Sequence, residues 1–185
     1  MTQPSKAQQG GLAGVAGIGG AIIGIVAGRY LGIYLLIPGG VAVFAGWILA
    51  KILPPRVKPM VAAVAILIGH AAWMAFGVVF ADGDRMLMVV SGVEIALLLG
   101  AAAWLALRPN LAAVIVAGAY QLLSLAVNTY HFTGQTFGTG THRALLAHML
   151  LRIAGLIAMV VGLVVMRRHA LAERPAFPVM QEPAA

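Results

Sequence analysis

The stretch from Thr141 to Arg168, THRALLAHMLLRIAGLIAMVVGLVVMRR, constrains the chain more than any other. Most of it is apolar, and it is long enough to cross a bilayer as a helix, which takes about 20 residues. Yet Arg152 stands about eight residues in from the apolar start, about 12 Å deep at about 1.5 Å per residue. An arginine at that depth is costly, so it is expected to face the protein interior and to have a partner. His148 lies one turn earlier on the same helix face.

The rest of the chain repeats the apolar theme. Of its residues 62% are hydrophobic and 9% charged, where a soluble domain carries about 25% charged. The expected fold class is all-α, a polytopic integral membrane helix bundle in contact with the lipid bilayer. The net charge of +7 comes from basic residues that flank apolar segments. Charge placed that way orients a membrane protein and does not mark a nucleic-acid partner. The absence of cysteine excludes disulfides and thiolate metal sites.

Residues 1–10 form a polar, flexible tail, residues 11–168 the transmembrane domain, and residues 169–185, with three prolines, a disordered tail. Six spans are expected over 11–28, 31–53, 60–81, 86–107, 111–130 and 141–168. A turn at Arg29-Tyr30 separates the first two, and Pro38-Gly39-Gly40 is expected to kink or break the second. The alternative is five spans, with segment one and the start of segment two merged. Gly20, Gly24, Gly28 and Gly32 recur every four residues. They predict a close helix seam, either within the chain or toward a second copy or another membrane partner.

With six spans and the N-terminus inside, Lys6, Lys51, Arg56, Lys58, Arg108, Arg167, Arg168 and Arg174 are cytoplasmic. Only Arg29, Arg85 and Arg143 sit at outer turns. The positive-inside rule then predicts a bacterial-type inner membrane with both termini in the cytoplasm. Trp47 and Trp104 fall near the inner interface, and Tyr30, Tyr34 and Tyr130 near the outer one.

An internal repeat points to the arginine's partner. Lys58-Pro59-Met60-Val61-Ala62-Ala63-Val64 resembles Arg108-Pro109-Asn110-Leu111-Ala112-Ala113-Val114. Counting nine residues on from Arg85 and from Arg143 reaches Glu94 and Arg152, each followed by Ile-Ala. Segments three-four and five-six thus read as two parallel copies of one hairpin. Glu94 and Arg152 share a depth and can neutralise one another. Such a pair either fixes helix register or forms the charged wall of a substrate or proton site.

Further polar residues gather around this pair. Gln121, Ser124, Asn128 and His131 make a stripe on one face of segment five. Ser91 lies one turn from Glu94, and His70 sits near the middle of segment three, expected as a hydrogen-bonded core histidine. His70, Ser91, Glu94, Gln121, Ser124, Asn128, His148 and Arg152 could line a cavity open to the outer side. His131, His142 and His148, with Asp82 and Asp84 on the same side, are a weak candidate for a metal site, because no compact ligand motif joins them. A bis-histidine haem is disfavoured, since His148 counts to about 6 Å below the outer edge while His70 is near the midplane. No cofactor is expected, and no phosphate loop, G-x-S-x-G or H-E-x-x-H motif occurs, so an enzyme is disfavoured. The expected function is a small transporter or channel-like protein. The alternative is a structural or interaction subunit that uses the glycine seam.

Overall fold

Apolar runs of about 20 residues separated by short polar breaks leave the backbone one way to satisfy its hydrogen bonds in lipid, the helix. The computed structural model describes residues 30–79 and 85–172, and no strand occurs among them. Helices α1 (Ile33–Ile52), α2 (Val61–Val79), α3 (Arg85–Leu107), α4 (Leu111–Thr133) and α5 (Gly140–Ala172) follow one another, with a 3-10 turn at Lys58–Met60 before α2. All five contain stretches long and apolar enough to span a membrane. Segment one, with Gly20, Gly24 and Gly28, lies outside the described residues.

Helix α2 is the centre of the bundle and packs against α1, α3 and α5. Its small residues make this possible: Ala63, Ala65, Gly69 and Ala71 are all buried. A Cβ on Gly69 would run into the Pro38 carbonyl oxygen and stand 2.9 Å from Ala42 Cβ, so glycine alone permits this approach of α1. Gly162 plays the same part on α5, where a Cβ would stand 2.7 Å from both Met60 Sδ and the Pro59 carbonyl oxygen. Met60, Leu67, Leu98, Leu105, Val114 and Met159 fill the core between α2, α3, α4 and α5. The bundle has a basic end, with the 53–60 and 108–110 connections and the C-terminus of α5, and an opposite end with the 134–139 loop.

Several boundaries differ from the sequence expectation. The break expected at Pro38-Gly39-Gly40 does not occur, because α1 runs unbroken from Ile33 to Ile52. Pro38 lacks an N–H to donate, but it is buried against α2, and neighbouring helices make such a proline tolerable in a membrane span. The break falls earlier, at Gly32, whose φ of 45° and ψ of −121° suit glycine and not L-residues. Gly32 therefore caps α1, and its carbonyl accepts from the amides of Leu35 and Leu36. Helix α4 starts at an N-cap, Asn110, whose side chain accepts from the Ala113 amide at 2.8 Å. Helix α5 starts at Gly140 and runs on to Ala172, so residues 169–172 are helical and do not belong to the C-terminal tail.

Candidate functional site: an intramembrane charge cluster

Arg152 lies on the face of α5 that turns inward with Leu151, Gly155 and Met159, and it is 0% exposed. Its guanidinium reaches two neighbouring helices. Nη2 donates to Glu94 Oε1 of α3 at 2.7 Å, and Nη1 donates to Gln121 Oε1 of α4 at 3.0 Å. The partner expected from shared depth is thus the partner found. Ser124 Oγ donates to the same Glu94 oxygen at 2.8 Å, and the Tyr120 hydroxyl at 3.3 Å. The Tyr120 ring also faces the guanidinium, 5.6 Å from Cζ, at the range of a cation–π contact.

The two charges differ in their surroundings. Glu94 keeps 23% of its side-chain surface open, and all its bonds fall on Oε1. Arg152 is enclosed, and its Nε has no partner. A buried donor without a partner is costly, which makes the Glu94 and Gln121 bonds the groups that keep the guanidinium in place.

The other expected residues divide. Gln121, Ser124, Glu94 and Arg152 form one bonded cluster. Ser91 is buried one turn away and does not bond to it. Asn128 is half-buried and His131 exposed, on the continuation of the Ser124 face toward the opposite end. His70 and His148 bond to each other, Nε2 to Nδ1 at 2.8 Å, with Trp73 beside His148. This corrects the depth assigned to His148. It lies eight residues from the start of α5 and His70 nine from the end of α2, so both are about 12–14 Å in at about 1.5 Å per residue. Helix α5 starts at Gly140, and its polar first turn carries His148 deeper than the apolar run alone indicates. The 2.8 Å separation is that of a direct hydrogen bond, so the two facing nitrogens are spent on each other. His70 Nδ1 is buried without a partner.

Asp82 and Asp84 lie outside the described residues, and among the described residues the three histidines of the metal set do not gather. His142 accepts from or donates to the Tyr30 hydroxyl at 3.1 Å and packs on Phe132 and Phe137. His131 contacts the Tyr130 ring, and His148 is taken up by His70. No group of three His, Cys, Asp or Glu side chains gathers among the described residues. His148 lies deep in the bundle beside His70, whereas His131 and His142 stand near the 134–139 loop with neighbours of their own.

Sequence reading missed Tyr120. Its signal was present, because Tyr120 stands four residues before Ser124 and so on the same helix face. An apolar cleft lies beside the cluster. About 350 Å³ of space lies between α3 and α4, lined by Ala96, Leu97, Gly100, Trp104, Val116 and Tyr120. It is apolar and runs from Tyr120 toward the basic end. Compared with protein-family models, with curated proteins and with solved structures, the chain finds no match.

Proposed function

We propose that the protein is a small multi-pass transporter or channel-like protein whose ion or substrate site is the Glu94–Arg152 cluster, reached from the outer side. The observation that carries this reading is the asymmetry of the pair. A carboxylate held through one oxygen, with part of its surface open, can exchange a proton or cation while the cluster stays assembled. Protonation would remove the charge that holds Nη2, while Gln121 retains Nη1. The site then changes charge in place without losing its arginine. Ser124, Asn128 and His131 supply a polar face leading outward from Glu94, and the Tyr120 hydroxyl separates Glu94 from the apolar cleft on the other side. A midplane site with polar side chains on one side and the Tyr120 hydroxyl closing the other suits alternating access.

The same reading takes residues 11–28 as a sixth span, which puts both termini in the cytoplasm of a bacterial-type inner membrane. The equal offsets from Arg85 to Glu94 and from Arg143 to Arg152 support a duplicated hairpin, α2–α3 and α4–α5. Reporter fusions at the C-terminus and in the 134–139 loop test the topology, and an outside C-terminus overturns it. The transport test uses vesicles holding the purified protein, a pH-sensitive dye and an imposed proton or monovalent-cation gradient. The wild type dissipates the gradient faster than empty vesicles, and Glu94→Gln slows it at least tenfold. Wild-type flux no greater than that of empty vesicles refutes the proposal.

One observation favours a second reading, an interaction subunit. The outer face of α1 carries a shallow apolar groove of about 730 Å³ along Leu36, Gly39, Gly40, Val43, Phe44 and Trp47. Open space surrounds the positions where Cβ atoms would stand on Gly39 and Gly40. A second copy or another membrane helix, approaching there or along Gly20, Gly24 and Gly28, is the partner this reading requires. A monomer at all detergent concentrations counts against it.

A further inference from the structure

At the basic end a cleft of about 600 Å³ opens between the proline-rich turn after α1 and the last turns of α5, lined by Pro54, Pro55, Arg56, Met166, His169 and Ala170. We propose that this cleft binds the headgroup of an anionic phospholipid, with Arg56 and His169 on the phosphate and Met166 against the start of an acyl chain.

Four observations carry the assignment. The first is level. Helix α5 has 33 residues, about 50 Å at about 1.5 Å per residue, while the hydrocarbon core is about 30 Å thick. Its final turns therefore stand among headgroups. Trp47 and Trp104 mark the same end, and Lys51 Nζ lies 3.4 Å over the Trp47 ring, as interfacial aromatic and basic residues do.

The second is charge. Lys51, Arg56, Lys58, Arg108, Arg167 and Arg168 crowd this end. Among the described residues the sole acidic one is Glu94, already bonded to Arg152 deep in the bundle. Glu173, next in sequence, lies outside the described residues. Basic clefts between helices at the membrane surface are suited to anionic headgroups.

The third is rigidity. The turn is closed by bonds from Val57 N to Pro54 O at 2.9 Å, Lys58 N to Pro55 O at 3.2 Å and Met60 N to Val57 O at 2.8 Å. The bare face of Gly162 seats Pro59 and Met60 directly against α5. Both walls are thus fixed before any ligand arrives, which lowers the entropy lost on binding.

The fourth is shape. Arg56 and His169 are exposed at the rim, whereas Met166, one turn toward the bilayer, is half-buried. A polar rim over an apolar wall fits a lipid, which carries phosphate and chain together; a soluble anion has nothing to place on Met166.

The test titrates the full chain in a neutral detergent with phosphatidylglycerol, phosphatidylcholine or inorganic phosphate, and reads bound lipid by native mass spectrometry and the shift in melting temperature. Phosphatidylglycerol is expected to bind and raise the melting temperature, and the other two are not. Arg56→Gln is expected to weaken phosphatidylglycerol binding about fivefold, the worth of one basic residue at the surface. His169→Gln weakens it in the same direction. Both positions are exposed, so lipid-free melting should match the wild type. Arg85→Gln, at the opposite end, is expected to leave binding unchanged. Undiminished binding in Arg56→Gln and His169→Gln, an equal loss in Arg85→Gln, or equal binding of phosphatidylcholine would overturn the assignment. So would an equal shift from millimolar phosphate, which would make this a site for the free anion.

Discussion

Glu94→Gln should strand Arg152, and the size of the effect follows from the site. Charge centres about 4 Å apart interact by about 4 kcal/mol at an effective dielectric of about 20. Breaking a buried pair typically costs about 3–5 kcal/mol. Two features moderate the loss. A glutamine carbonyl can still accept from Nη2, and Gln121 keeps its bond to Nη1. One feature worsens it, since Nε is already without an acceptor in surroundings that are 0% exposed. We expect about 3 kcal/mol for Glu94→Gln, the low end of that range. Arg152→Met strands the carboxylate instead, but Glu94 keeps its bonds from Ser124 and Tyr120 and its open surface. That variant should cost about 2 kcal/mol, as for a hydrogen-bonded charge that loses one partner. The double variant carries no charge at the site and should cost about 3 kcal/mol, so the coupling is about 2 kcal/mol. Reversible unfolding in mixed micelles of rising dodecyl sulfate fraction, followed by tryptophan fluorescence, gives all three values. Single costs that add to within about 0.5 kcal/mol would show no coupling and refute the reasoning.

Two further outcomes are expected in the same assay. His148→Ala removes the partner of His70 Nε2, leaving both nitrogens of a buried ring unpaired, and should destabilise by about 1–3 kcal/mol; His70→Phe with His148→Leu should cost less than the two singles together, and additive costs would argue against the bond. Gly69→Ala should cost about 1–3 kcal/mol because its Cβ meets Pro38 and Ala42, whereas Gly39→Ala, which meets nothing, should be neutral or stabilising by up to about 1 kcal/mol; equal effects would show that the α1–α2 approach is looser than described.

What could be read from the sequence was what depends on distance along one helix. Apolar runs and their polar breaks located the helices. The equal nine-residue offsets placed Glu94 and Arg152 at one level, and two lone charges at one level in an apolar bundle have strong reason to meet. Facing is different, because it depends on which helices are neighbours and how each is turned. Spacing puts Gln121 and Ser124 on a common face but does not name the helix opposite, so it does not assign Ser124 to Glu94. His131, His142 and His148 belong to one half of the sequence-read bundle and still meet three different sets of neighbours. The error over His70 and His148 has another cause. A depth measured from the first apolar residue lets lipid begin where hydrophobicity does. Helix α5 begins at Gly140, and its polar first turn, Thr141 to Arg143, moves His148 inward by one turn. That turn is held in place by Tyr30 and Tyr34, which contact His142 and Gly140. A membrane helix thus starts where its ends find partners, and residues a turn or two inside it are placed correctly only from that point.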